Sequence, residues 1–129
     1  LDRFKFSERG RAADGLVEIS FRETKKPTII RTAAGGAVPS EGEIWVDPAT
    51  GIIRRTRLRF GDLSAVVGAR SMGTIEVDVT YALEEHLGMW LPETMREAYE
   101  IVSGGNTERE TGQADYSNYR KFQTTVRIK

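Results

Sequence analysis

A two-residue hydrophobic period constrains this chain more than anything else in it. Between Thr74 and Tyr81 the apolar residues Ile75, Val77, Val79 and Tyr81 alternate with Glu76, Asp78 and Thr80. Only an extended strand sorts such a series onto two faces, one for a core and one for water. Val17, Ile19 and Phe21 alternate in the same way with Glu18, Ser20 and Arg22, and Phe4 and Phe6 with Arg3 and Lys5. A slip of one residue would expose each apolar set, so the register of these strands is strongly specified. Near the end, Tyr116, Phe122, Val126 and Ile128 fall on one parity, with Asn118, Arg120 and Thr124 among them, and predict a last strand.

Turn chemistry separates the strands. Asp47-Pro48-Ala49-Thr50-Gly51 lies between Glu43-Ile44-Trp45-Val46 and the run from Ile52 to Phe60. Pro48 presets φ, Asp47 can accept backbone bonds in an Asx turn, and Gly51 can take positive φ, which together predict a β-hairpin. The stretch from Ser103-Gly104-Gly105-Asn106 to Gly112 reads as a connection into the last strand, and Ala33 to Ser40 as a loop. Residues 93–102 fit two periods. Met95, Ala98, Tyr99 and Val102 have helical spacing, whereas Met95, Tyr99 and Ile101 alternate with only Glu97 dissenting. The unbroken run from Met89-Trp90-Leu91 favours a strand kinked at Pro92. The expected fold is mainly β: one curved antiparallel sheet, a half-barrel or meander of about seven strands with little helix, in a single domain over 1–129.

Composition removes most chemistry. With no Cys there is no thiolate metal site or thiol nucleophile, and one His excludes a multi-histidine site. Nineteen basic residues balance nineteen acidic ones, leaving no long-range field to attract nucleic acid. The longest apolar run, Ala65-Val66-Val67-Gly68-Ala69, is too short to span a bilayer. The length is ample for a hydrophobic core. A chain that opens mid-pattern at Leu1 reads as a mature product or an excised part of a longer protein.

Three constellations carry possible chemistry. Arg54, Arg55, Arg57 and Arg59, with Arg120, Lys121, Arg127 and Lys129, could hold an anion. From Glu84 to Glu110, however, there are 7 acidic and 2 basic residues, and Glu76 and Asp78 stand nearby, so a solvated, charge-compensated strand face is the simpler reading. Ser71, Asp78 and His86 follow in hydrolase order, but the Ser lacks the strand-before, helix-after context of a nucleophile elbow. Glu76 and Asp78 share one strand face and could serve as paired carboxylates, although a polar strand face explains them equally. No cofactor fingerprint or metal motif occurs.

Weight therefore moves to the apolar face. Seven strands in one sheet present a broad apolar surface, and the chain has at most one segment that could cover it as a helix. Such a face closes on itself, meets a second sheet or chain, or holds an apolar ligand. Phe21, Trp45, Ile75, Val77, Val79 and Tyr81 are the candidate ligand-binding residues.

The run Trp45-Val46-Asp47-Pro48-Ala49-Thr50-Gly51 with Arg54-Arg55 resembles the strand–turn–strand signature of LolA/LppX-like bacterial lipoprotein-sorting domains. Leu87-Gly88-Met89-Trp90-Leu91-Pro92, then Met95 and Tyr99, is similar to a following strand, and Tyr116 to Phe122 to a final one, so the resemblance covers residues 43–128. It implies a half-barrel outside the cytoplasm, periplasmic or secreted, whose concave face binds lipid or acyl chains without catalysis. Full members plug that concavity with helices; here they would lie outside the chain, or a homodimer would cover the face. The alternative is a structural or interaction domain of a larger secreted bacterial protein, docking through its sheet face or an edge strand.

Overall fold

Residues 2–32, 35–61 and 71–122 are described by a computed structural model of the chain, Ser71 and Met72 by their backbone alone. The strands are β1 (Phe4–Arg11), β2 (Val17–Glu23), β3 (Ile30–Arg31), β4 (Ala37–Val38), β5 (Ser40–Val46), β6 (Ile53–Phe60), β7 (Ser71–Glu84), β8 (Met89–Ser103) and β9 (Asn106–Asp115). Seven of them form one sheet in the order β1-β2-β5-β6-β7-β8-β9, each antiparallel to its neighbours. The sheet is the expected meander. It is not closed into a barrel, since β1 and β9 are left as edges. Among the described residues there is no helix, and 93–102 is strand.

The hairpin between β5 and β6 forms as its residues dictate. Asp47 Oδ1 accepts the Ala49 N–H at 2.9 Å, and Gly51 adopts φ 72°. The Ala49 N–H bond holds the Asp47 carboxyl below its ordinary pKa against a smaller opposing effect of burial. The kink expected at Pro92 is a β-bulge: Thr80 pairs with Thr94 and Tyr81 with Pro92, so Glu93 is the extra residue. A second bulge sits in β6, where Trp45 pairs with Arg55 and Val46 with Ile53, leaving Arg54 extra. A third makes Arg9 extra in β1.

Three expectations need correction. The predicted connection from 103 to 112 is mostly strand. Gly104 and Gly105, at φ 57° and 86°, close a tight turn and β9 begins at Asn106. The predicted last strand is not formed at Tyr116–Phe122, which is irregular and leaves Phe122 89% exposed; 123–129, with Val126, Ile128, Arg127 and Lys129, lie outside the described residues. The Ala33–Ser40 loop is packed at its end. Ala37-Val38 pairs with Ile30-Arg31, and Val38 is 3% exposed, while 33–34 lie outside the described residues. The apolar run at 65–69 lies outside them too.

Buried polar groups anchor the β3–β4 hairpin. Glu23 accepts the Ile29 N–H at 2.8 Å and the Ser40 hydroxyl at 3.2 Å, and Thr28 Oγ1 accepts the Val38 N–H at 3.0 Å. Burial pushes the Glu23 carboxyl up, but these bonds outweigh it and hold its pKa below the usual value.

The core is much smaller than the length led one to expect. Val38 and Trp45 are the only buried hydrophobic residues described, and no large side chain is fully buried. Every pair of described strands in substantial contact is a pair of neighbours within a sheet, so no second sheet packs across this one among the described residues. The accessible surface is 9799 Å². A compact monomer of 14.4 kDa has about 6,800 Å², so roughly 3,000 Å² is exposed in excess.

Candidate functional site

Cross-strand register assigns each side chain to one of two faces. Trp45 pairs with Arg55, Glu43 with Arg57 and Glu41 with Arg59. Across the next ladder Arg55 faces Thr80, Arg57 faces Asp78 and Arg59 faces Glu76. These residues line one polar face. Asp78 binds Arg55 at 2.6 and 2.9 Å and Arg57 at 2.9 Å. Glu43 takes both terminal nitrogens of Arg59, one of them at 2.9 Å. Burial pushes the Asp78 carboxyl up, but the bonds from Arg55 and Arg57 prevail and lower its pKa. Arg55 and Arg57 also cover the Trp45 ring, at 4.6 and 5.7 Å from its centroid. Trp45 is thus buried beneath guanidinium groups. A depression of about 350 Å³ beside them, lined by Arg55, Arg57, Asp78, Thr80, Thr94 and Arg96, has Asp78 bridging Arg55 and Arg57, while Arg96 Nε donates to Gln113 Oε1 at 3.2 Å. The compensated strand face expected of the Arg run is what Arg55, Arg57 and Arg59 form.

The other face is apolar. Phe21 pairs with Gly42, Gly42 with Leu58 and Leu58 with Val77. Ile44, Thr56 and Val79 form the neighbouring row, and Phe60, Ile75 and Tyr99 another. At one end Phe4, Phe6 and Phe21 cluster with ring centroids 6.0–6.5 Å apart, Phe4 meeting Phe21 edge-on. At the other end the Arg54 guanidinium lies over the Trp90 ring, 4.1 Å from its centroid. Tyr81 joins this end, its hydroxyl 3.4 Å from Thr56 Oγ1. Glu97 interrupts the face opposite Val77. It accepts the Tyr99 hydroxyl at 3.0 Å, and that bond, with burial and nearby charge, raises the Tyr99 pKa.

Five of the six candidate residues therefore share a face: Ile75, Val77, Val79 and Tyr81 along β7, and Phe21 three strands away, about 14 Å across the sheet. Trp45 does not join them. Its parity places it with Glu43, and Ile44 and Val46 take the apolar side. Counting outward from the Asp47–Gly51 hairpin separates Trp45 from Ile44 by sequence alone. Arg54, Leu58, Trp90 and the Phe4–Phe6 pair belong to the apolar face and were missing from the candidate set. Arg54 shares the parity of Thr56, Leu58 and Phe60 in β6, so plain alternation separates it from Arg55, Arg57 and Arg59.

The remaining constellation is dispersed. Ser71 opens β7 and His86 follows its other end, some 45 Å of strand away. Asp78 is committed to Arg55 and Arg57 between them. His86 ties its turn to the C-terminal segment, with Nδ1 2.5 Å from Glu84 Oε1 and Nε2 3.0 Å from the Tyr119 carbonyl oxygen. Among the described residues no group of three His, Cys, Asp or Glu side chains is placed to hold a metal ion, and no helix is long and apolar enough to cross a membrane. Compared with family models, curated proteins and solved structures, the chain finds no match in any of the three.

Proposed function

We propose that this chain is a non-catalytic binding domain that works outside the cytoplasm and covers its apolar sheet face with lipid or acyl chains. The apolar face, over which no second sheet packs among the described residues, carries the reading. Phe21, Leu58, Val77, Val79, Ile75 and Tyr81 are only half-buried, and they are flanked by an aromatic cluster at one end and Trp90 at the other. Exposed apolar patches of this extent mark interaction sites. The driving force is burial, about 0.8 kcal/mol per methylene covered. An acyl chain laying about ten methylenes on the face gains at most ~8 kcal/mol of burial, and the surplus over the cost of immobilising it is its affinity. Native mass spectrometry of the purified protein, before and after organic extraction, tests this. A lipid adduct and enhanced fluorescence of an apolar probe are expected; a clean apo mass with no enhancement refutes the reading.

A second reading has the same face dock on protein. An apolar sheet face that no described strand covers is the kind of surface a standard interface, ~800 Å² per partner, buries. A second copy of this chain, or the rest of a longer secreted protein, would then complete a two-layer sandwich. Light scattering from 1 to 100 times a dilute starting concentration separates the two: a concentration-dependent dimer supports docking, and a monomer throughout favours the ligand.

A further inference from the structure

We infer that the apolar face carries a headgroup site at Arg54, and that its ligand is a single-chain amphiphile with a carboxylate head. This rests on the ligand reading above and deepens it. Three observations converge at the end of the sheet where β6 begins and β7 ends. Arg54 is the extra residue of the β6 bulge and shares the parity of Thr56, Leu58 and Phe60, which places it on the apolar face. Its guanidinium stacks on Trp90, on the apolar side, while its strand neighbours Arg55, Arg57 and Arg59 point to the polar side and into carboxylates.

Arg54, finally, has no such partner. Among the described residues it forms no ion pair, and its Nε is buried without a hydrogen bond. The charge of Arg54 is felt by Asp47 across the hairpin and helps to lower that carboxyl's pKa, but Asp47 is engaged chiefly by the Ala49 and Thr50 backbone. A buried arginine donor without an acceptor is costly, and a permanently charged one cannot escape by losing its proton.

The geometry selects the ligand's chemistry. The Arg54 guanidinium carbon sits over the indole, 4.1 Å from its centroid, and a guanidinium presents its donors in its own plane as a fork that a planar carboxylate meets edge to edge. One unpaired positive charge matches a monoanion. From this end the apolar row runs along β7 from Tyr81 to Ile75, about 20 Å at the rise of a strand, with Thr56, Leu58 and Phe60 beside it on β6. A head held at Arg54 therefore lays its chain along Val79, Val77 and Ile75.

The test compares laurate with dodecanol, which has the same chain and no charge, by displacement of an apolar fluorescent probe at pH 8. The wild-type protein is expected to bind laurate at least about tenfold more tightly, as a charge-assisted hydrogen bond supplies, and Arg54→Gln to bring the two within about twofold. Equal affinities in the wild type overturn the headgroup site and leave the ligand reading standing. A preference that survives in Arg54→Gln removes Arg54 from the site. Dodecyl phosphate binding more tightly than laurate overturns the carboxylate assignment. If neither laurate nor dodecanol binds, the underlying reading fails and this one with it. Should Arg54→Gln not fold, Arg54→Lys keeps the charge without the planar fork. Its laurate preference is expected to fall below that of the wild type, and an undiminished preference overturns the fork geometry.

Discussion

Gly42 lies where the β2, β5 and β6 ladders meet, and replacing it by Ala should disrupt the sheet. A Cβ built there would stand 1.9 Å from the Arg57 carbonyl oxygen, 2.9 Å from its carbon and 3.0 Å from the tip of the Phe21 ring. Relieving the first contact means parting β5 from β6 by about 1 Å, which stretches cross-strand bonds beyond hydrogen-bonding distance. Two such bonds lost at ~1 kcal/mol each, plus ~1–3 kcal/mol for the overpacked Phe21, give a cost of about 3–5 kcal/mol. Gly112 in β9 is the matched control. Its added Cβ would meet nothing closer than Glu97 Oε2 at 3.9 Å, so Gly112→Ala should stay within ~0.5 kcal/mol of the wild type. Urea denaturation followed by far-ultraviolet circular dichroism measures both. If Gly42→Ala costs less than about 1 kcal/mol, or no more than Gly112→Ala, the close approach of β5 and β6 does not require glycine at 42.

Further expectations concern the polar face and the buried carboxylate. Asp78, Asp47 and Glu23 all have lowered pKa values in the folded chain. Their contribution is fully present above the ordinary carboxylate range and is lost as pH falls through the folded values, so urea midpoints should drop on acidification below about pH 4. Asp78→Asn should flatten that drop, and an unchanged slope would count against the Arg55–Asp78–Arg57 bridge. Trp45→Ala should cost about 3 kcal/mol although it lies on the charged side, because the ring is buried under two guanidinium groups; a change below ~1 kcal/mol would refute that role. Glu23→Ala should release the β3–β4 hairpin and speed limited proteolysis between residues 28 and 38, and an unaltered cleavage rate would deny the anchor.

The sequence resolves this fold best where a strand has one wet and one dry face. Val17–Arg22 and Thr74–Tyr81 alternate because each separates a polar face from an apolar row, and both are strands with their apolar residues on one face. β9 escaped notice for the opposite reason. As an edge strand with nearly every residue exposed, Asn106–Asp115 has no dry side for a pattern to record. Tyr116 to Phe122 misled because its apolar residues share a parity with Asn118 and Arg120, which is no alternation at all. The site divides in the same way. Ile75, Val77 and Val79 follow from parity within one strand, whereas the side of Trp45 depends on counting across a hairpin. Arg54 shares the parity of Thr56, Leu58 and Phe60 along β6, but a charged side chain on that parity does not register in a hydrophobic period.

The two edges of the sheet bear on how this chain assembles. An open sheet ordinarily invites further strands at its margins, and that kind of growth has no natural end. Here β9 lines one margin with Glu108, Arg109 and Glu110, and β1 lines the other with Lys5, Glu8 and Arg11 around its bulge. Charge and irregularity at both margins oppose lateral addition. Whatever joins this protein must then approach from above the sheet, not beside it, and such an approach terminates after one layer. Concentrated solutions should accordingly reach a complex of fixed stoichiometry instead of growing into fibres.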